Sequence, residues 1–355
     1  MFRCLFTRSA IVAAVLSTSF FSLQSNADSM TASENSTSLA PYIVNGNVAD
    51  IDDYRSFVSL FSDPVAYTDY SLEGPLCGGT LLSQDYVLTA AHCFYGNDNA
   101  ARWNQLFTVA VTKLQNTDNA ASAERLRVAE IYLHPDYRDG EDYLWRNDIA
   151  ILKLETPASL GEPVSYVTQS DYRYQPASFV AVGHGDTRSH EDDSTQLLEV
   201  ALNYVSNSQC DIFGLNGVRD DYICFSGRYS DVTQLNGGTC QGDSGGPVYW
   251  NDNGHLVQVG ITSFGPSKCG DPDLPVTSVF TEVSQHYDWI ESVLAEREEP
   301  TYQLTEEERV EFGEKVSPKP NTLDENGDGG GGSLPWIFTA LLAYVGWSRR
   351  RLSAS

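Results

Sequence analysis

Lysine is nearly absent from this chain: Lys113, Lys153, Lys268, Lys315 and Lys319 are the whole supply in 355 residues. Twenty-two basic against 48 acidic side chains leave a net charge of −26. A nucleic-acid surface needs a basic footprint, and a peripheral binder of anionic lipid needs the same, so both classes are excluded. Such an excess of acid implies a soluble, self-repelling surface. Cysteine, at seven, is too sparse for a small scaffold held mainly by disulfides. No uninterrupted apolar run reaches the ~20 residues of an ordinary membrane span. Internal sequence repeats and coiled-coil heptads are also missing. What is present is 41% hydrophobic residues, enough for a sizeable core. At roughly 100–200 residues per domain, the length admits two domains, or one large β domain flanked by processing segments.

The two ends read as addresses. Arg3 and Arg8 precede an apolar run from Ala10 to Leu23, broken by small hydroxyl residues and followed by Ser25-Asn26-Ala27. This order predicts a signal peptide over 1–27, removed by signal peptidase after Ala27. Cys4 would leave with it, and six cysteines would reach an oxidising compartment, where pairing is expected. Composition changes sharply after Ala295. Residues 296–328 hold eleven acids and four bases, with Pro318, Pro320 and little that is apolar, which predicts an acidic flexible linker. Then come Gly329-Gly330-Gly331-Gly332, an apolar stretch Leu334–Trp347 and Arg349-Arg350-Arg351. Fourteen helical residues rise about 21 Å, short of the ~30 Å hydrocarbon core. In this order residues 329–355 resemble a GlyGly-CTERM sorting tail. The resemblance implies a Gram-negative envelope and transient membrane insertion of this segment. It further implies trimming by a rhomboid-type protease and delivery through the periplasm to the cell surface or medium.

Between the ends, residues 43–295 carry short strand-like runs, each bounded by Gly, Asn, Asp or Pro. They are Phe57–Phe61, Thr80–Leu82, Tyr86–Thr89, Phe107–Val111, Ile149–Leu154, Phe179–Val182, Leu256–Ile261 and Val279–Val283. Frequent short strands with turn signals predict an all-β barrel or sandwich. One helix is predicted, around Gln285–Leu294.

Three motifs carry chemistry: Thr89-Ala90-Ala91-His92-Cys93, Asn147-Asp148-Ile149-Ala150-Ile151-Leu152 and Gly242-Asp243-Ser244-Gly245-Gly246-Pro247. Singly, each has a plain structural reading, as a histidine beside a cysteine, a strand end and a glycine-rich turn. In the order His, Asp, Ser they match a nucleophilic triad. A serine hydroxyl is a poor nucleophile until a base takes its proton. His92, neutral near pH 7, can take that proton and return it to a leaving amine. Asp148 would fix the imidazole tautomer and stabilise the imidazolium. On these residues, 43–295 resembles the trypsin/chymotrypsin family of serine endopeptidases. The resemblance implies two six-stranded antiparallel β-barrels with a short C-terminal helix. It implies a monomer that needs no cofactor, hydrolysing protein or peptide substrates through an acyl-enzyme. It implies an oxyanion hole from the N–H groups of Gly242 and Ser244, each donor worth about 3–4 kcal/mol. It also implies the disulfides Cys77–Cys93, Cys210–Cys224 and Cys240–Cys269. No metal is expected, since no cysteine pair has zinc-ligand spacing.

Ile43-Val44-Asn45-Gly46 resembles the family's activation sequence, 49 residues before His92. Cleavage after Tyr42 would remove a propeptide, 28–42, and free an α-amine to pair with Asp243. In trypsin-like members an Asp lies six residues before the nucleophile. Here that position is Gly238. A lysine or arginine side chain would enter such a pocket unpaired, at a cost of several kcal/mol. Ser263, Phe264 and Gly265 resemble the pocket wall and Ser278 its back. The expected preference is for a neutral, apolar residue before the cut bond. His184 reads as structural, and His190, His255 and His286 as surface residues. The alternative to a protease is a catalytically silent homologue acting as a surface binding module.

Overall fold

The computed structural model describes residues 43–118, 123–174, 178–190, 195–211 and 218–317. The expected signal peptide, propeptide and sorting tail, together with Tyr42 and 318–328 of the expected linker, lie outside the described residues. No helix among the described residues is long and apolar enough to cross a membrane.

Alternation of apolar and polar side chains makes strands that bury one face. Leu198–Val205 shows it plainly: Leu198, Val200 and Leu202 are buried while Ala201 and Asn203 face out. Six strands form the first barrel: β1 (Phe57–Ser62), β2 (Glu73–Leu81), β3 (Tyr86–Thr89), β4 (Thr108–Thr112), β5 (Glu124–Leu133) and β6 (Ala150–Leu154). Six more form the second: β7 (Ser178–Gly183), β8 (Leu198–Val205), β9 (Tyr222–Gly227), β10 (Pro247–Asp252), β11 (His255–Phe264) and β12 (Ser278–Glu282). The first closes as β1-β2-β3-β6-β5-β4 and the second as β7-β8-β9-β12-β11-β10. Both rings therefore follow the same order, although no sequence repeat announces it. All pairings within the two rings are antiparallel. Closure removes the open edges that a flat sheet would expose.

One apolar cluster runs through both barrels. It takes Val58, Leu81, Leu88, Val128 and Ile151 from the first, and Val200, Phe225, Val248, Ile261 and Phe280 from the second. Disulfides join Cys77 to Cys93, Cys210 to Cys224 and Cys240 to Cys269.

Among the described residues three α-helices accompany the barrels: α1 (Asn99–Phe107), α2 (Tyr287–Leu294) and α3 (Glu306–Val316). The sequence predicts only α2. The expectation of a flexible linker from 296 does not hold through 317. A two-residue strand, β13 (Tyr302–Gln303), pairs antiparallel with Ile131 and Glu130 of β5. Helix α3 follows, with Arg309, Phe312 and Gly313 buried. Its start is fixed by a capping box: Thr305 Oγ1 accepts from Glu308 N–H, and the Glu308 carboxylate accepts from Thr305 N–H. Net charge misled here, because three of the acids are used. Glu306 accepts from Tyr67, Glu308 from Arg102, and Glu296 from Lys153.

Candidate active site

The first barrel supplies two of the three motif residues. His92 sits in a single 3-10 turn, Ala91–Cys93, at the end of β3, and the disulfide to Cys77 on β2 ties that turn down. Asp148 stands two residues before β6 and is fully buried. His92 Nδ1 lies 2.7 Å from Asp148 Oδ2, and the His92 backbone N–H donates to Asp148 Oδ1 at 2.9 Å. Burial pushes the His92 pKa down, but the charge and hydrogen bond of Asp148 outweigh it and hold the imidazole above its ordinary value.

The second barrel grips Asp148 from the other side. Ser263 Oγ donates to Asp148 Oδ2 at 2.5 Å, and Thr281 Oγ1 donates to the Asp148 carbonyl at 2.8 Å. A buried carboxylate is tolerable only when its lone pairs are satisfied, and here three contacts do so, from His92 Nδ1, His92 N–H and Ser263 Oγ. The sequence reading placed Ser263 only in the pocket wall. His286, expected at the surface, is buried. Its Nδ1 lies 2.9 Å from the Glu282 carbonyl and its Nε2 3.3 Å from Asn147 Oδ1, so it braces the residue before Asp148.

Ser244 lies where the barrels touch. Its carbonyl accepts from Gly78 N–H on β2 at 2.7 Å. The next residue, Gly245, has φ +78°, and a Cβ there would strike Thr89 Oγ1 at 2.2 Å. Only glycine lets this turn approach β3 so closely. Gly242 also has a left-handed φ of +94°. Among the described residues, no backbone carbonyl outside regular elements takes the N–H of Gly242 or Ser244.

A cleft of about 210 Å³ opens beside Ser244, lined by Thr239, Ser263, Phe264, Gly265 and Cys269 among others, all neutral. Phe264 is braced by Trp145 (ring centroids 5.3 Å apart) and Tyr222 (5.9 Å). Gly238 and Ser278 stand behind Thr239 rather than on the lining. Ser278 Oγ accepts from Thr239 N–H and Thr239 Oγ1, both at 2.9 Å. Thr239 is a lining residue that the sequence reading did not single out.

Ile43 is fully buried with φ +32°, an unfavourable conformation for a β-branched residue. The Val44 carbonyl accepts from Gly238 N–H at 3.2 Å, which links the start of the domain to the residue beside Thr239. Asp243 is buried and accepts from Gly185 N–H at 2.8 Å and Cys240 N–H at 2.9 Å. Among the described residues no cationic side chain pairs with it, and burial raises its pKa to about 7. His184 is buried against Ser59 Oγ, 3.1 Å from its Nδ1. The one grouping of metal-ligand side chains among the described residues is Cys77, Cys93 and His92. Its two sulfurs are joined in a disulfide, so it offers no thiolate.

Comparison with known proteins agrees with this geometry. The family model described as Trypsin matches residues 43–290. The chain is 32% identical over 219 residues to Trypsin-1 of Astacus astacus, covering 61% of this chain and 86% of that protein. It is 30% identical over 244 residues to Kallikrein 1-related peptidase b3 of Mus musculus, covering 64% and 82%. It is 31% identical over 235 residues to CLIP domain-containing serine protease B15 of Anopheles gambiae, covering 62% of each. The chain belongs to the trypsin family of serine endopeptidases.

Proposed function

We propose that Ser244, His92 and Asp148 form the catalytic triad of an endopeptidase made as a zymogen, cut between Tyr42 and Ile43, and selective for neutral residues before the scissile bond. The observation that carries this reading is the half-buried His92 paired with the buried Asp148, which Ser263 of the neutral Ser244 cleft also holds. His92 takes the Ser244 proton as the hydroxyl attacks the substrate carbonyl. Asp148 holds the Nδ1–H tautomer and stabilises the imidazolium. The tetrahedral oxyanion is held by the N–H groups of Gly242 and Ser244. Collapse expels the amine, which takes its proton from His92, and leaves an acyl-Ser244 ester. Water repeats the sequence to release the acid.

Activation follows from Asp243. Its carboxyl is buried, with no cationic side chain paired to it among the described residues. Cutting before Ile43 would create an α-ammonium to supply a cation, and a buried pair of this kind works as a switch. The three disulfides favour an oxidising destination. The signal-like N-terminus and the Gly-rich, Arg-ended tail support export, with anchoring or release at the cell surface.

The test is a peptide library incubated with protein whose Ile43 terminus has been verified, beside a Ser244→Ala control. Cleavage after Tyr, Phe, Leu or Met is expected, with loss of about 10⁶-fold in turnover in the control. Cleavage after Arg would keep the triad and refute the pocket reading. Equal turnover in the control would remove Ser244 from the mechanism.

A further inference from the structure

The family match ends at residue 290, yet the chain remains built into the fold through 317. This extra piece is fastened to the first barrel at several separate places. Strand β5 pairs with β4 only over Glu124–Arg127, so its later residues present an unpaired edge. The extra piece covers that edge: β13 pairs with Glu130 and Ile131, Leu304 N–H donates to the Ala129 carbonyl at 2.8 Å, and Thr301 Oγ1 accepts from Leu133 N–H at 3.0 Å. Helix α3 then sends Arg309, 2% exposed, into the barrel wall. Its guanidinium donates to the Leu106 carbonyl at 3.0 Å, the Val128 carbonyl at 2.6 Å and Glu155 at 2.7 Å.

Leu106 is in the last turn of α1, where carbonyls lack helical partners, and Arg309 caps it. Helix α1 in turn holds the main chain that follows His92. Gln105 Nε2 donates to the carbonyls of Phe94 at 2.7 Å and Gly96 at 3.0 Å. Tyr302 Oη, from the extra piece, donates to the same Gly96 carbonyl at 3.2 Å. Gly96 is four residues beyond His92, so the strap and α1 close on one short stretch of chain.

We propose that residues 296–317 are a strap that sets the position of the His92 turn, with Tyr302 and Arg309 as positioning residues. The strap steadies 94–107, and through Phe94 and Gly96 it limits where the imidazole can sit relative to Ser244. The kinetic side of this role rests on the peptidase function proposed above; the mechanical side does not.

The experiment uses the full chain carrying Tyr302→Phe, Arg309→Met or Arg309→Lys. Amide exchange, thermal unfolding, kcat and KM are measured on each, with kcat expressed per folded molecule. In Tyr302→Phe and Arg309→Met, exchange should rise across 94–107 and not in the strands of the second barrel. Their kcat should fall roughly tenfold with KM unchanged, since small misplacements of a reacting group cost rate rather than affinity. Arg309→Lys should recover part of kcat. Tyr302→Phe keeps the test open if Arg309→Met fails to fold. A lowered unfolding temperature with unchanged kcat overturns the positioning role and leaves the strap a mere stabiliser. If the wild-type protein cleaves no peptide, the peptidase reading fails, and unchanged exchange at 94–107 then overturns the strap by itself.

Discussion

At Gly238 the pocket has no room for a carboxylate. A Cβ there would meet Thr277 Oγ1 at 2.7 Å, Thr277 Cβ at 2.8 Å and Ser278 Oγ at 3.1 Å. Ser278 cannot swing aside freely, because it holds two hydrogen bonds from Thr239. Gly238→Asp should therefore fail to confer cleavage after Arg or Lys, and should lower stability by about 1–3 kcal/mol through overpacking. Parallel assays on Arg- and Tyr-containing peptides with a urea titration check both parts, and efficient cleavage after Arg would show that the pocket can open. The motif residues were legible in the sequence because each lies in a short run with its own signature. Ser263, Thr281 and His286 were not, because nothing local marks a side chain that reaches Asp148 or its neighbour from 115 or more residues away in the chain. A histidine gives no sign of burial on its own; His286 is inside with Nδ1 beside the Glu282 carbonyl and Nε2 near Asn147 Oδ1, and one N–H of the neutral ring serves one of the two.

Helix α3 depends on its first turn. Eleven residues form a marginal helix in water, and only Arg309, Phe312 and Gly313 of its side are buried. Thr305→Ala removes the capping oxygen and should cost about 1 kcal/mol. The loss should appear as faster exchange confined to 306–316 and a small fall in unfolding temperature; exchange unchanged there would mean that packing alone holds the helix. The spacing Thr305…Glu308 is that of a capping box, but the sequence reading did not weigh it against the eleven acids between 296 and 328. Strands fared according to composition. Phe57–Ser62 and Ala150–Leu154 are nearly continuous apolar runs and were found. Leu198–Val205 carries alternation in Leu-Glu-Val-Ala-Leu-Asn, yet it lacks the dense β-branched and aromatic run that marks a strand by eye. Glu124–Leu133 holds four charged residues, none of them buried, and they disguise it.

Across the whole molecule, the uncut and cut forms should answer oppositely to pH. In the uncut chain Asp243 has a folded pKa of about 7, against ~3.9 unfolded. The folded state then holds the proton more tightly. Its stabilising contribution is full below about pH 4 and is lost as pH rises through about 7, on the order of 4 kcal/mol in all. Once an α-ammonium pairs with the carboxylate, the dependence reverses, and stability is lost as pH falls. Urea unfolding of Ser244→Ala protein, uncut and cut in trans, at pH 5 and pH 8 reads the difference while cancelling the side chains common to both, leaving Asp243 and the new α-amine. A parallel response in the two forms would remove Asp243 from activation. A protease with the proposed neutral preference would also have to survive its own company, since every molecule would be a substrate for the next. Of Tyr, Phe, Leu and Met, the strap holds Tyr302, Leu304 and Phe312, but the first lies in a paired strand and the other two are buried. Tyr174, 85% exposed at the end of a short turn, has no such shelter. Tyr143, Tyr95 and Tyr229, at 60%, 51% and 43%, are exposed as well, so the proposed preference would direct self-digestion to these loops rather than to the strap.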